Sequence, residues 1–339
     1  GMAIDELRYK QTDISEAEEE AALIAVLLHD IGHSPYSHAL ERLIIQADHE
    51  AIGKTIMLHL ARTLGEPVKL AYEMFTGQYY RPFFHQLISG QLDLDRLDYL
   101  SRDSFYTGVA EGVVGHDRIL KMLRVEGHKL VVEEKGLHSI EKFLVARRIM
   151  YWQVYLHKTA VAAELMAKGI ISLLRHQEPH ERTGFLAPEL EYFMSNTIDI
   201  THIREHTEDI LEIFTRLDDV SVDYSIKRLQ EHFSTPLRFL SQNLMDRRLH
   251  KMIWSDTPLS DDFINEIRRK CSEKYNWTPE ITDQMVWLGS ESKKDYNRED
   301  HEIEILMKSG DIRPFSSFLA NPVSIDFNRK YYICHPQIR

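Results

Sequence analysis

The chain has 339 residues, 43% of them apolar and 28% charged, and its 53 acidic against 41 basic side chains leave a net charge of −12. Such an acidic surface would repel a phosphate backbone, which argues against duplex nucleic acid as the main partner. The longest uninterrupted apolar run, Ala21 to Leu28, falls far short of the ~20 residues that a bilayer demands, so no membrane segment is expected.

The start of the chain has no basic stretch followed by an apolar one, so no secretory signal is expected. The two cysteines, Cys271 and Cys334, form no CxxC pair, which argues against a disulfide scaffold or thiolate zinc site and suits a reducing cytoplasm. The expected location is therefore cytoplasmic.

Taken in order, the first element is a helix opened by the capping box Ser15-Glu16-Ala17-Glu18. It should be buried on most sides, with Gly32 and Pro35 ending it just after His29 and Asp30. Asp48 predicts an N-cap for a helix starting at His49. Leu94, Leu97 and Leu100 form a helical stripe within Leu92 to Asp103. Asp117 is read as the cap of a helix from Arg118.

A long helix, broken by no proline, is expected from about Ser139 to about Leu174. Polar loops follow at Gln177 to Gly184 and Ser195 to Thr207, then helices through Val222 to Met252. Gln284 to Leu288, Glu302 to Met307 and Lys330 to Cys334 read as short strands, with Ser309-Gly310-Asp311 as a hairpin turn. The expected fold is mainly α: a helical core over 1–175, a helical extension over 176–255 and a small α+β lobe over 256–339.

Three stretches carry chemistry. In His29-Asp30-Ile31-Gly32-His33-Ser34-Pro35-Tyr36-Ser37-His38, an adjacent imidazole and carboxylate at a helix end can both turn toward one divalent cation. Two further histidines follow where Gly32 and Pro35 bend the chain back. The plain alternative is a helix C-terminus decorated with histidines that favour its dipole. A second pair, His116-Asp117, warns that such a dipeptide alone means little.

The second stretch, Asp93 to Asp103, places Asp95, Tyr99 and Arg102 on one helical face and Arg96, Tyr99 and Asp103 on another. Either a metal and phosphate site or a solvated, ion-paired helix would look this way. In the third, Arg147, Tyr151, Tyr155 and Lys158 form a polar stripe on an otherwise apolar segment. Buried cations there need partners, supplied by an anionic ligand or by a neighbouring helix.

Together, His29-Asp30, the following Gly-His-Ser-Pro-Tyr-Ser-His, Asp48-His49-Glu50 and Asp-Leu-Asp-Arg-Leu-Asp-Tyr (93–99) resemble the HD superfamily of metal-dependent phosphohydrolases. The similarity covers roughly Ala22 to Leu165 and points to the branch of deoxynucleoside triphosphate triphosphohydrolases and its bacterial relatives.

The resemblance implies that His29, Asp30 and Asp95 bind one divalent metal, with Mn, Fe, Mg, Zn and Ni not distinguished. It implies that His33, His38 and His49 line the phosphate site; imidazole chemistry suits one of them, best assigned as His38, to protonate the leaving group. Arg96, Tyr99 and Arg147 would hold the phosphate chain, and Asp103 and Tyr155 would face the sugar. Tyr151 stands where some members have histidine, and Lys158 would add positive charge. Related branches fit less well: neither the Glu-Asp of guanosine tetraphosphate hydrolases nor the lysine of cyclic-dinucleotide phosphodiesterases follows the pair.

The family also has a histidine ligand on an earlier helix, preceded by an arginine. No histidine precedes His29 here, and Arg8 and Lys10 are the basic residues in that region. The expectation is therefore a helical core read without its first helix, or a site of three protein ligands and water.

The implied reaction converts a deoxynucleoside triphosphate to a deoxynucleoside and triphosphate. A nucleotide-binding sensor with an incomplete metal site, or a phosphomonoesterase on smaller substrates, would fit the same residues. A homo-oligomer, dimer or tetramer, is the expected assembly.

Overall fold

The computed structural model describes residues 1–292, 302–318 and 329–338. Six helices carry or support the candidate site residues: α1 (Glu16–Leu28), α2 (His49–Leu64), α3 (Leu94–Thr107), α4 (Leu137–Met150), α5 (Lys158–Arg175) and α6 (Asp219–Arg228). Seven short strands join them: β1 (Leu123–Glu126), β2 (Lys129–Glu133), β3 (Lys251–Ser255), β4 (Trp287–Glu291), β5 (Glu304–Leu306), β6 (Ile312–Pro314) and β7 (Lys330–His335). The mainly helical class expected from the sequence holds.

The described residues divide into two compact units. The first contains Gly1–Asp30, Ile56–Tyr155 and the described part of Lys293–Phe327. Its core gathers Phe83, Phe84, Phe143, Leu97, Leu100 and Ile140 with Ile305 and Phe315. Its sheet has the order β1-β2-β5-β6, with β2 and β5 parallel and the other pairs antiparallel. Capping decides where α1 begins: Ser15 accepts from the Glu18 N–H, and Glu18 reaches back to the Ser15 N–H at 2.9 Å. Ala21, Ala22 and Ala25 bury one face of α1, but Leu27 is 80% exposed. The expectation that this helix is buried on most sides is therefore corrected.

The second unit contains Ile31–Thr55, the described residues of Leu156–Ser292, and the described part of Asn328–Arg339. β7 lies between β3 and β4, antiparallel to both. Met252, Tyr332 and Cys334 pack with Val161 and Ala162 of α5. Ile333 packs with Ile267, Cys271 and Val286 in another cluster.

Other expectations need correction. The long helix through 139–174 is two: α4 ends at Met150, a π-helical turn occupies Tyr151–Tyr155, and α5 starts at Lys158 with His157 as its N-cap. The wider π turn takes up extra residues without any proline. Short helices, Pro179–Arg182 and Ile200–Glu205, lie in the stretches read as loops. The helical stretch read to Met252 ends at Met245, and β3 follows. Asp117 sits in the first turn of a helix whose N-cap is Gly115, so it is not the cap. The predicted cap at Asp48 does form, accepting the Ala51 N–H at 2.8 Å. The turn at Gly310 joins β5 to β6, with φ +91° at that glycine.

Candidate active site

In the first unit, α1 ends where His29 begins. The His29 Nδ1 lies 2.7 Å from the Val26 carbonyl and donates to it, so in the neutral ring, the form a metal would bind, Nε2 carries the lone pair. Nε2 lies 3.5 Å from an Asp30 carboxylate oxygen and 3.8 Å from one of Asp95. It is buried and has no hydrogen-bond partner among the described residues. The Asp95 carboxylate foremost, then the Val26 carbonyl and Asp30, push His29 up to about 9 against the opposing effect of burial.

An orphaned imidazole nitrogen facing two carboxylates fits a divalent cation. Ligands ~2.1 Å from one ion sit ~3–3.5 Å from each other, and the remote Nδ1–H bond to a carbonyl is the usual way a ligating imidazole is oriented.

Asp95 reaches this position because Asp93 caps α3, accepting the Arg96 N–H at 2.7 Å. Burial pushes Asp93 up to about 6, against the pull of Arg96 and Arg147. The Arg96 guanidinium donates to the Asp93 carboxylate and to the Gly90 carbonyl. Burial raises the Tyr99 phenol, while the charges of Arg147 and Arg96 act in the opposite direction, so both cations lie near that hydroxyl. Further along α3, Asp103 accepts the Tyr155 hydroxyl at 2.7 Å. The Tyr155 ring meets Tyr99 and Tyr151 edge-on, with centroids 6.0 and 5.4 Å away. Arg102 pairs with Asp98 at 2.8 Å on an exposed surface, the solvated reading of that helix face.

In the second unit, His33, His38 and His49 come together. The His33 and His49 rings stack at 4.0 Å, and His38 lies edge-on to them at 4.7 and 5.2 Å. One ligand atom from each lies within 4.8 Å of the other two, so this trio could also hold a metal ion. Glu41, which the sequence did not single out, ties them together. Its carboxylate takes the main-chain N–H of His49 at 3.1 Å and approaches Nδ1 of His49 at 2.8 Å and of His38 at 3.2 Å. Burial would raise this carboxyl, but both histidines hold it down to about 2. The His38 side chain remains 73% exposed, with Nε2 pointing away from that anchor.

Gly32 permits the bend. A Cβ there would lie 2.0 Å from the His49 carbonyl oxygen and 2.4 Å from the Gly53 nitrogen. Lys158 is exposed at the first position of α5, so it does not continue the stripe of Arg147, Tyr151 and Tyr155 on one helix.

Residues 2–103 match the HD domain family and residues 114–219 the HD associated region. A crystal structure of a phosphohydrolase from Bacteroides thetaiotaomicron superposes with a TM-score of 0.90, at 38% identity, covering 99% of this chain and 84% of that one. The chain belongs to the HD superfamily.

This HD protein is also 30% identical over 264 residues to the uncharacterized protein YwfO of Bacillus subtilis, covering 74% of the chain and 57% of YwfO. It is 26% identical over 186 residues to the deoxynucleoside triphosphate triphosphohydrolase SAMHD1 homolog of Dictyostelium discoideum, covering 49% of the chain and 36% of that protein. The chain thus spans just over half and about a third of these two relatives. HD domains are metal-dependent, in keeping with the donors at His29. Among the described residues, no helix is long and apolar enough to cross a membrane.

Proposed function

We propose that this HD protein hydrolyses nucleotides, releasing a deoxynucleoside and triphosphate from a deoxynucleoside triphosphate. The observation that carries the reading is the order of groups along α3. Asp95 faces His29, Arg96 and Tyr99 follow with Arg147 nearby, and Asp103 lies beyond with the Tyr155 hydroxyl on it. An ion, a phosphate chain and a sugar would meet these groups in that sequence. Similarity to the Dictyostelium triphosphohydrolase supports the substrate class.

A divalent ion held by His29, Asp30 and Asp95 would lower the pKa of bound water and neutralise phosphoryl charge. The chain's own residues do the rest. Arg147 and Arg96 offset the charge of the phosphate oxygens, and the Tyr99 phenol fixes their orientation. Asp103 has lone pairs left after accepting from Tyr155 and takes a sugar hydroxyl.

Water supplies an oxygen to the α-phosphorus, the bond to the sugar O5′ breaks, and O5′ must gain a proton. His38 is the donor: its ring is exposed and is oriented through Nδ1 by Glu41.

The test is product analysis by ion-exchange chromatography with each deoxynucleoside and ribonucleoside triphosphate, the protein being loaded in turn with Mn, Fe, Mg, Zn and Ni. Deoxynucleoside with tripolyphosphate is expected. Monophosphate with pyrophosphate, or free phosphate alone, would replace this reading with another phosphohydrolase reaction.

A further inference from the structure

The loop between Gly32 and His38 holds a conformation that its own residues disfavour. Tyr36 has φ +58° and Ser37 φ +47°, so two successive residues with side chains sit in the left-handed region. The turn closes through Ser37 N–H to the Ser34 carbonyl at 2.9 Å and Ala39 N–H to the Tyr36 carbonyl at 3.0 Å. Backbone of this kind persists where the surroundings over-determine it.

Here α6 supplies the restraint. Asp219 accepts the Tyr36 main-chain N–H at 2.9 Å, and Asp223 accepts the Tyr36 hydroxyl. The two carboxylates are four residues apart on one helical face, where like charges repel. Nor is Asp219 needed to cap α6, because Asp218 already does so by accepting the Ser221 N–H at 2.8 Å. Both acids therefore converge on one tyrosine more than 180 residues away in sequence.

His38 lies two residues beyond Tyr36 in the same short turn, and its exposed ring is fixed through Nδ1 to Glu41. We infer that Tyr36, held by Asp219 and Asp223, is a positioning residue that sets where the His38 imidazole stands. Nothing in this arrangement brings the Tyr36 side chain to substrate: its hydroxyl donates to Asp223 of α6. The inference rests on reading His38 as the proton donor.

A double-mutant cycle tests it. Tyr36→Phe removes the hydroxyl and keeps the ring, and should lower kcat about tenfold with KM within about twofold, since small displacements of a reacting group cost rate more than binding. Asp223→Ala should match it. Asp223→Asn keeps an acceptor oxygen and should restore most of the rate. In a His38→Ala background, Tyr36→Phe should cost nothing further. A full additional loss there would show that Tyr36 acts elsewhere and overturn the inference.

If the wild-type protein hydrolyses no nucleotide, the functional reading fails, and nitrogen-15 NMR of the imidazole rings decides about the clamp. Tyr36→Phe should shift the His38 ring resonances and leave those of exposed His202 in place. Unmoved His38 resonances would equally overturn it.

Discussion

Glu41 receives both the main-chain N–H and the ring Nδ1 of His49, at 3.1 and 2.8 Å, and so fixes the imidazole relative to its own backbone. The same carboxylate approaches Nδ1 of His38. One acid thus sets the orientation of two of the three histidines through Nδ1, leaving the Nε2 of each clear of that carboxylate.

Replacing Glu41 by Gln keeps the size but puts an NH₂ where one of two accepting oxygens was. We predict a fall in kcat of about 10–100-fold, the usual cost of losing a group that orients a working one. KM should change much less. Steady-state kinetics across pH would check this, and an unchanged kcat would remove Glu41 from the machinery.

Gly32→Ala should destabilise the protein rather than merely slow it. The new methyl would meet two backbone atoms at 2.0 and 2.4 Å, neither able to rotate away. Overpacking of this kind costs about 1–3 kcal/mol, and backbone neighbours place the site at the upper end. Urea unfolding should show a lower midpoint; an unchanged midpoint would mean that the loop moves freely.

Sequence and structure agree most closely where one side chain decides a local outcome. Ser15 with Glu18, Asp48, and the turn at Gly310 each act over four residues or fewer, so the pattern was legible. The break between α4 and α5 was not, because a π turn at Tyr151–Tyr155 needs neither proline nor glycine. The β1–β2 hairpin left a faint trace in Gly127-His128, both with positive φ, between residues of alternating character. Its neighbour β5 lies over 170 residues on, beyond the reach of local pattern. The site divides in the same way. His29-Asp30, His33 and His38 form a motif, whereas Glu41 and Asp219 matter through contacts that no spacing announces.

Acid should unfold the second unit through buried histidines. His250 is 4% exposed and stacks on Trp287 at 4.8 Å. Burial, then the nearby His335, lowers it to about 3, and burial also lowers His335. Below pH 6.5 the unfolded chain takes up protons that the folded one refuses, so stability falls as pH drops and continues to fall until about 3. By pH 5 the His250 contribution alone is about 2 kcal/mol. His250→Phe should keep the stacking and flatten the slope of urea midpoint against pH between 7 and 5. An equal slope in that variant would assign acid sensitivity to other groups.

Tyr155→Phe tests the sugar end of the proposed site. The hydroxyl donates to Asp103 at 2.7 Å, and losing that bond leaves a carboxylate on α3 with one fewer donor. A hydrogen bond to a charged group is worth about 1.5–3 kcal/mol, so nucleotide affinity should fall by roughly 10–100-fold if Asp103 needs it to meet the sugar. Asp103→Ala should remove discrimination between sugars with and without the hydroxyl it accepts. Calorimetric titration of nucleotide into each variant measures both, and wild-type affinity in the two would take this pair out of the site.

The metal prediction depends on Asp95 because it is the donor remote in sequence from His29 and Asp30. Asp95→Ala leaves the His29 imidazole facing one carboxylate instead of two. With the Nδ1–H bond to Val26 unchanged, Nε2 would still present its lone pair, but the ion would lose a charged oxygen from its shell. Loss of a group that merely supports a ligand typically costs ~10–100-fold in affinity, and loss of the ligand itself should cost at least that. Elemental analysis after dialysis should therefore find the wild-type protein holding a divalent ion and the variant holding little.

The trio His33, His38 and His49 supplies the control. It offers three imidazoles whose ligand atoms lie within 4.8 Å of one another, and Asp95→Ala does not alter them. Metal content that survives Asp95→Ala but falls with His49→Ala would place the ion on the trio and leave the His29 set as an ion-paired cluster. Content lost in Asp95→Ala and kept in His49→Ala places it on His29, Asp30 and Asp95.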